Sequence, residues 1–452
     1  MNSMAGTLHK STDWLDARHQ PVLSEMQRPR ILIQSGSYEL ENLGEQAMIR
    51  SAIGRIRDRL PGAVFAVVAR NCDALRALAP DAECVPVENK GEWKVVRSLY
   101  LAIRKRFPAA DPFLRAHLRQ FFHSLLRLKA RQLINRDILG KTDFMIVSGG
   151  GYFNDVFAAQ AWSSLERIRA ADSLGIPFAI VGLGLGPLAD PALRGAAKEL
   201  FPRARIIGVR DREASPRLLR ELGVSDVNVF VTGDDAVEDA WRGRAADIGN
   251  GIGVNLRVAP YAGTSVEHIA AIREGLITAV AATRGVLIPL PICIAESAES
   301  SSDFDVAQDV ISGVAGARRN TVAPPSVSDL TALVSTCRVV ITGSYHCAVF
   351  ALSQGIPAVC IHNSEYYLTK FQGLKDLFGS GCRLISMSSD SFSRTLATVT
   401  LETWNDAPSL RPALIVAAEK QIDAGRRAYA TLSSIIATET QDSRRARRES
   451  AA

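Results

Sequence analysis

The sequence lacks the features that mark membrane-spanning, secreted, fibrous or disordered proteins. It has no uninterrupted run of about 18 apolar residues, so we expect no membrane-spanning helix. The polar segment 1–28 has no apolar core of the signal-peptide type, and we expect a flexible arm on a cytoplasmic protein. With 47% hydrophobic and 22% charged residues, the chain has the composition of an ordinary globular protein.

Cysteine is sparse and irregularly spaced. The seven cysteines include no Cys-x-x-Cys pair, so the sequence predicts no metal site of the zinc type. Cys293 and Cys360 lie within apolar runs, where a thiol packs as a small hydrophobic group. We therefore expect reduced, structural cysteines, as is usual in the cytoplasm.

The positive charge is concentrated in one segment. The chain carries a net charge of +6, and residues 92–141 hold twelve Lys or Arg against three acids. In this basic insert, basic residues alternate with bulky apolar ones, which predicts amphipathic helices. Their basic face either points to solvent or contacts an anionic membrane surface or lipid carrier. No nucleic-acid-binding motif accompanies the charge, so we expect no nucleic-acid partner.

Short apolar runs alternate with helical patterns along the whole chain, which is typical of parallel sheets joined by helices. We expect an α/β protein of two doubly wound, Rossmann-like domains over residues 29–240 and 250–405, facing each other across a cleft. Residues 406–452 carry a last helix, at 412–438, and a basic tail. The architecture resembles the GT-B arrangement of many glycosyltransferases, with the ligand in the cleft between the domains.

Two glycine-rich segments follow predicted strands of the first domain. The loop 148–152, after a strand at 144–147, contains Gly149, Gly150, Gly151 and Tyr152, and its backbone amides could approach an anion closely. The alternative is a tight turn without a ligand. The segment 182–187, with Gly186 before a proline, predicts a fixed turn lining the cleft. It is not the dinucleotide fingerprint, so a dehydrogenase is not favoured.

Two further strand ends carry polar residues. Between the first strand and its helix, predicted at 45–60, Asn42 could cap the helix, Gly44 could admit a ligand, and Glu45 could act as an acid or base. Arg210 stands at a strand end, where a guanidinium suits a phosphate or carboxylate. Pairing of Arg210 with Asp211 or Asp235 is the structural alternative.

The sharpest candidate is the junction at residues 342–346, where a buried strand ends and a helix begins. His346 falls in the first turn, beside free backbone amides and the positive end of the helix dipole. This position disfavours the imidazolium unless an anion is bound, so a ligand could tune the proton affinity of His346. A satisfied core or capping histidine is the alternative.

The ordered set of these segments resembles the polysaccharide pyruvyl transferase family over residues 31–378. The resemblance rests on the motifs Asn-x-Gly-acid at 42–45, DFMIVSGGG at 143–151, GLGP at 184–187, VRDREAS at 209–215 and SYH at 344–346, with QGIP at 354–357 downstream. It implies a GT-B-like transferase that moves pyruvate from phosphoenolpyruvate onto two sugar hydroxyls as a ketal, with no cofactor. The implied acceptor is an oligosaccharide or a lipid-linked saccharide of cell-surface or exopolysaccharide synthesis.

By position, the resemblance implies proton transfer by His346 and donor binding by Arg210. The amides of Ser344 and Tyr345 would assist Arg210, and Glu45, Asp155 and Asp234 are candidates for the complementary acid or base. Two departures concern the donor site. The family loop reads Arg-x-His-Gly, whereas this chain has Ser344 and Cys347, and Asp234-Asp235-Ala236 replaces Asp-Pro-Ala. Arg257 and Lys370 could replace the missing loop arginine.

Two other classes of protein remain open from the sequence. A nucleotide-sugar glycosyltransferase on the same fold would often carry a glutamate in the helix after the junction, and residues 348–354 contain none. A non-catalytic carbohydrate-binding or assembly protein is favoured only by the altered residues of the 344–347 loop.

Overall fold

The computed structural model describes residues 28–36, 38–87, 112–132, 134–265, 267–293, 302–318, 324 and 326–451. Nearly all of the predicted N-terminal arm, and residues 92–111 of the basic insert, lie outside the described residues. The described part of the chain forms two parallel β-sheets connected by helices. This confirms the predicted α/β fold of two Rossmann-like units.

The first sheet has seven strands in the order β3-β2-β1-β4-β5-β6-β7, and the second has five in the order β12-β11-β10-β8-β9. The strands of the first sheet are β1 Arg30–Gln34, β2 Val64–Ala69, β3 Glu83–Pro86, β4 Phe144–Phe153, β5 Phe178–Leu185, β6 Ile207–Val209 and β7 Val229–Val231. The strands of the second are β8 Gly251–Asn255, β9 Val286–Pro289, β10 Cys337–Thr342, β11 Ala358–His362 and β12 Cys382–Ser386.

Fourteen α-helices fall within the described residues. In the first half they are α1 Leu43–Arg57, α2 Cys72–Leu78, α3 Pro112–Gln132, α4 Arg136–Gly140, α5 Ala158–Ser173, α6 Pro191–Leu200, α7 Ala214–Glu221 and α8 Ala236–Arg242. In the second half they are α9 Glu267–Thr283, α10 Asp303–Ile311, α11 Val327–Ser335, α12 Tyr345–Ser353, α13 Glu365–Phe378 and α14 Phe392–Ala451.

Each sheet is buried on both faces because alternate residues of its strands pack into different cores. In β1, Ile31 and Ile33 belong to one apolar cluster, whereas Leu32 belongs to another on the opposite face. In β10, Val340 belongs to one apolar cluster, whereas Val339 and Ile341 belong to another on the opposite face. Near-continuous apolar strands are therefore required, as expected for parallel sheets.

In each sheet, the order of successive strands changes direction at one place, the switch point. Both switch points lie at the cleft between the sheets. In the first sheet β1 is paired with both β2 and β4, and in the second β8 is paired with both β10 and β9. Crossovers leave from opposite faces at such switch points, which opens a crevice beyond the carboxyl ends of the strands. The amide of Leu43 donates to the carbonyl of Ile292 at 2.9 Å and so joins the two units beside the cleft.

The glycine-rich segments differ from the prediction. β4 extends through Phe153, and β5 continues to Leu185, so the glycines lie within strands rather than in loops that open helices. The helix after β4 begins only at Ala158 and has no side-chain cap. Anion binding by helix-start amides is therefore excluded for Gly149, Gly150 and Gly151.

Several predicted helix limits are shifted by a few residues. α1 covers Leu43–Arg57 rather than 45–60, α7 covers Ala214–Glu221 rather than 213–222, and α11 covers Val327–Ser335 rather than 328–336. The cap of α11 is Ser326, whose hydroxyl accepts a hydrogen bond from the amide of Asp329 at 3.2 Å. The predicted cap by Asn42 is confirmed, since its Oδ1 accepts from the amides of Gly44 and Glu45 at 3.0 and 3.2 Å.

The last helix is longer than the predicted 412–438. α14 runs from Phe392 to Ala451 and contains Pro408 and Pro412, so it starts inside the predicted second domain and includes the basic tail. It crosses back to the first sheet, as predicted, where Tyr429, Leu432 and Ile436 pack into the core.

The prediction of reduced cysteines is wrong for one pair. Cys72, at the start of α2, forms a disulfide with Cys84 of β3, 12 residues further along the chain. Within the described residues, the other five cysteines form no disulfide: Cys293, Cys337, Cys347, Cys360 and Cys382. Among the described residues, no helix is both long enough and apolar enough to span a membrane.

Candidate active site

A cavity with a volume of about 460 Å³ lies between the two switch points. Its lining includes most of the predicted site residues: Asn42, Glu45, Gly151, Tyr152, Arg210, Arg257, Ser344, Tyr345, His346 and Lys370. These come from the ends of β1, β4, β6, β8, β10 and β11 and the segments after them. The site is therefore formed at the carboxyl ends of parallel strands, where the sequence analysis placed it.

The 342–346 junction is held by a short hydrogen-bond relay. The hydroxyl of Thr342, at the end of β10, accepts from the amide of Ser344 at 2.8 Å and donates to Asn255 Oδ1 at 3.0 Å. Ser344 is the N-cap residue of α12, but its side chain makes no capping bond. His346 is thereby placed in the first turn of the helix and is only 8% exposed.

His346 is a neutral imidazole near pH 7. Burial lowers the pKa of His346 to about 4, and the cations of Arg210 and Lys370 add to this effect against the carboxylate of Asp234. The Nε2 atom is 3.8 Å from Asp234 Oδ2, too far for a hydrogen bond, and has no hydrogen-bond partner among the described residues. Burial, rather than the helix dipole alone, disfavours the charged form.

Arg210 follows β6 and is a buried cation with defined partners. Its Nη1 donates to Asp234 Oδ2 at 3.0 Å, and its guanidinium carbon lies 3.9 Å from the centre of the Tyr345 ring. Burial alone would lower the pKa of Arg210, but Tyr345 and Asp234 raise it above its usual value, so the side chain stays charged. Neither of the predicted structural partners, Asp211 and Asp235, is paired with it.

Asp211 and Asp235 have structural partners other than Arg210. The carboxylate of Asp211 accepts from the amide and hydroxyl of Ser215 and so anchors α7. Asp235 is bound by Arg55 Nη1 at 2.6 Å and by the hydroxyl of Tyr429 at 2.8 Å. Asp235, which departs from the family pattern, is thus a structural residue that ties α1 to α14.

Gly151 provides space for two cations. A Cβ atom at this position would lie 2.5 Å from Lys370 Nζ and 2.6 Å from Arg210 Nη2, so any side chain here would displace them. Gly149 and Gly150 have positive φ angles of 61° and 93°, and they lie outside the cavity lining. A Cβ on Gly149 would overlap Met48 and one on Gly150 would overlap Tyr152, so both glycines are needed for the packing of the strand, and their contact with a ligand stays a prediction.

The predicted position of Gly186 in the cleft is wrong. Gly186 precedes a cis peptide bond to Pro187 and faces Leu218, away from the cavity lining. Asp155 is likewise unsuited as an acid or base, because its carboxylate accepts hydrogen bonds from the amides of Ala189 and Asp190 at 2.8 and 2.9 Å. It fixes the turn that carries Pro187.

Arg257 and Lys370 both reach the cavity, as expected of substitutes for the missing loop arginine. Arg257 Nη1 binds Asp303 Oδ1 at 2.9 Å, and its Nε donates to the hydroxyl of Tyr261 at 2.9 Å. Burial would lower the pKa of Arg257, but Asp303 raises it, so this residue is also a permanent cation. The Nζ of Lys370 donates to the hydroxyl of Tyr366.

An aromatic cluster at the cavity was missed from the sequence. Phe157, which precedes α5, packs edge-on against Tyr261 with 5.0 Å between ring centres, and Tyr366 stands 5.9 Å from Phe157. Tyr367 stacks on Tyr261 at 6.3 Å. The position of Tyr366 and Tyr367 shortly after the end of β11 is the signal that could have identified them.

The outer wall of the cavity comes from the β1–α1 loop, the residue that follows β2, and the basic insert. Tyr38, Glu39 and Arg70 form one side, with Arg70 paired to Glu39. Leu126, Lys129 and Ala130 of α3 form the other. The described part of the basic insert therefore contributes directly to the cleft. Contact of this insert with a membrane stays a prediction.

The fold belongs to the class shared by GT-B glycosyltransferases and related epimerases. A putative UDP-N-acetylglucosamine 2-epimerase from Listeria monocytogenes aligns with a TM-score of 0.57 and 14% identity, over 90% of this chain and 96% of that one. The glycotransferase of kitacinnamycin gives a TM-score of 0.54 and 13% identity, over 91% and 99% of the chains. At this identity the likeness concerns the fold.

Sequence comparison identifies the family. Residues 42–365 match the sequence profile of the family described as polysaccharide pyruvyl transferase, which is well over half of the chain. The chain therefore belongs to the polysaccharide pyruvyl transferase family, a family of transferases. No curated protein matches it at a significant level.

Proposed function

We propose that the protein transfers the pyruvyl group of phosphoenolpyruvate to two hydroxyls of a saccharide, forming a ketal and releasing phosphate. The observation that carries the proposal is the convergence of Arg210, Lys370 and Arg257 on one cavity that also holds a neutral histidine. Phosphoenolpyruvate has two anionic groups and needs cations. Its acceptor needs a base.

The proposed reaction removes one proton from each of the two sugar hydroxyls, and delivers one proton to the donor carbon and one to the phosphate. The methylene carbon of phosphoenolpyruvate must gain one proton as the first sugar oxygen bonds to the central carbon. The second sugar oxygen then displaces phosphate, and its proton leaves with the phosphate. A neutral His346 can take the proton of an attacking hydroxyl, whereas an imidazolium cannot.

The donor and acceptor can be assigned to different parts of the cavity. Arg210 and Lys370 lie deep, beside His346, and bind the donor anions. The rings of Tyr261 and Tyr366, together with the outer wall, leave room for a saccharide next to them. A cavity of about 460 Å³ is within the range that holds a ligand larger than phosphoenolpyruvate alone.

The test is phosphate release from phosphoenolpyruvate that depends on an added saccharide, with mass spectrometry of the acceptor. We expect the acceptor to gain the mass of pyruvic acid less one water. Transfer from a nucleotide sugar without turnover of phosphoenolpyruvate would instead favour a glycosyltransferase. Binding of saccharide without turnover of either donor would favour a carbohydrate-binding protein.

The cellular setting is part of the proposal. An oligosaccharide or lipid-linked acceptor of exopolysaccharide synthesis would meet the enzyme in the cytoplasm or at the inner face of the cell membrane. The basic wall of the cavity supports an acceptor with an anionic group near the transferred sugar.

A further inference from the structure

Helix α3 of the basic insert carries apolar side chains on two opposite faces. Leu126 and Ala130 are buried in the core that α3 shares with α5. On the opposite face, Phe121 is 63% exposed and Leu128 is 56% exposed, and Leu125 between them is partly exposed. Their spacing of four and three residues aligns these three side chains along the helix, and we call them the apolar ridge. The solvent-facing side of a surface helix is normally polar, so the apolar ridge indicates a partner.

The apolar ridge is flanked by basic residues. Over its 21 residues α3 contains five Lys or Arg and no Asp or Glu. By helical position, Arg127 and Arg131 lie on one side of the ridge, and Lys129 lies on the other side, toward the cavity. An apolar strip between two basic flanks is typical of a helix that lies in the interface of an anionic bilayer.

One buried carboxylate holds the two arginines in place. Glu166 of α5 is 2% exposed and accepts hydrogen bonds from Arg127 Nε at 2.6 Å and from Arg131 Nε at 2.7 Å. The two arginine side chains remain 38% and 49% exposed. Because two guanidinium groups share a single carboxylate, this flank keeps a net positive charge at the surface.

We propose that the apolar ridge of α3 docks on an anionic lipid bilayer, with Phe121 and Leu128 inserted between the headgroups and the basic flanks against the lipid phosphates. Lipid supplies both an apolar layer for the ridge and negative charge for the flanks. A second copy of this chain would bring the same basic flanks face to face, which like-charge repulsion disfavours. Nucleic acid supplies the negative charge, but its phosphate backbone has no apolar layer for the ridge.

The same helix forms part of the cavity wall. Leu126, Lys129 and Ala130 line the cavity, while the apolar ridge is outside the lining. Docking of α3 therefore brings the outer wall of the cavity to the bilayer surface, where an acceptor attached to a membrane lipid reaches it. This consequence, a lipid-linked acceptor rather than a free saccharide, rests on the proposed function. The docking surface itself does not.

The experiment is sedimentation of the full chain with lipid vesicles. One set of vesicles is phosphatidylcholine alone, and the other is an equimolar mixture of phosphatidylcholine and phosphatidylglycerol. We expect reversible binding to the anionic vesicles at low salt, weaker binding at high salt, and little binding to the neutral vesicles. A short apolar ridge binds weakly alone, and salt screens its attraction to the lipid charge.

Three variants separate the apolar from the electrostatic part. Phe121→Gln combined with Leu128→Gln removes the ridge, and we expect the vesicle affinity to fall roughly 10- to 100-fold. Glutamine is a good helix former, so α3 should persist, and thermal unfolding checks this. Arg131→Gln should lower the affinity roughly 5-fold, because one basic residue near the lipid is lost. Ile277→Gln, at a 51% exposed position of α9 in the second unit, is the matched control and should bind as the wild type.

Several outcomes would overturn the docking proposal. These are equal binding to neutral and anionic vesicles, no binding to either, and unchanged binding of the Phe121→Gln/Leu128→Gln variant. A dimer in sedimentation velocity that this variant abolishes would assign the ridge to a second copy instead.

Vesicle binding and pyruvyl transfer are measured separately. If the ridge binds anionic vesicles but no saccharide is pyruvylated, the docking surface stands and the proposed function fails. If a soluble saccharide is pyruvylated but anionic vesicles are not bound, the proposed function stands and the docking surface fails. If both hold, the variant without the ridge should keep its turnover with a soluble saccharide and lose turnover with a lipid-linked acceptor in anionic vesicles.

Discussion

His346 packs directly against Gly44, the second residue of α1. A Cβ atom on Gly44 would lie 2.1 Å from Cγ of the imidazole, which is far inside contact distance. Gly44, in the 42–45 motif of the first unit, therefore leaves the space that the ring of His346, from the second unit, occupies. This contact links two motifs that are about 300 residues apart in the sequence.

Replacing Gly44 with alanine should displace His346. Alanine is normally the better helix former by up to about 1 kcal/mol, but overlap with a buried ring costs roughly 1–3 kcal/mol. We expect a lower midpoint of thermal unfolding and a large loss of turnover. Gly54→Ala in the same helix is the control, since a Cβ there meets nothing within 4 Å and should be neutral or stabilising.

Replacing His346 with alanine should reduce turnover by about 10²–10⁴-fold if the imidazole acts as the base. Phosphate release from phosphoenolpyruvate measures it. Because the pKa of His346 is about 4, kcat/KM should show no loss from this group until the pH approaches that value. His362→Gln is the control, because His362 lies outside the cavity lining. Near-normal turnover of a folded His346→Ala variant would contradict the role of His346 as the base.

The sequence predicted the parallel strands and their polar carboxyl ends because apolar runs and glycines are local signals. Arg210 and His346 were found in this way. Lys370 was named only as a substitute, and its closeness to Gly151 depends on the packing of α13 across the cleft. No local pattern contains that information.

The errors have a common physical cause. Gly149 and Gly186 were interpreted as ligand loops because glycine permits close backbone approach, but in the structure that freedom allows a bulged strand and a turn before Pro187. Asp155 was a candidate acid because its bonding to loop amides is not visible in the sequence. The structural roles of these three residues depend on tertiary contacts, which the local sequence does not contain.

Replacing Asp235 with alanine should destabilise the fold by about 3 kcal/mol. The change leaves the buried Arg55 with Glu238 as its remaining carboxylate and removes the acceptor of the Tyr429 hydroxyl. Urea unfolding measures the effect. Arg76→Ala breaks an exposed pair with Asp73 and should change stability by less than about 1 kcal/mol. Equal effects of the two changes would contradict a structural role for Asp235.

His346 should also make stability depend on pH. Its pKa is lowered from 6.5 to about 4 in the folded state, so the unfolded chain binds more protons between these values. Stability is full above about pH 6.5 and is lost as the pH falls toward 4, by about 3 kcal/mol in total. His346→Asn should flatten this part of the curve, and an unchanged pH dependence in the variant would rule out the assignment to His346.

Replacing Lys129 with alanine should impair the acceptor rather than the donor. Lys129 lies in the outer wall contributed by α3, away from the Gly151 space. If the acceptor carries an anionic group, we expect its KM to rise roughly 5- to 20-fold, as for the loss of one charge-assisted hydrogen bond, with the phosphoenolpyruvate KM unchanged.

The control for Lys129 is Lys141→Ala, an exposed basic residue at the end of the insert and outside the cavity lining. It should leave both KM values unchanged. A rise with Lys129→Ala that disappears at high salt supports an electrostatic contact, because salt screens exposed charges. An unchanged acceptor KM would mean that the acceptor does not reach the basic insert, and that its charge serves another surface.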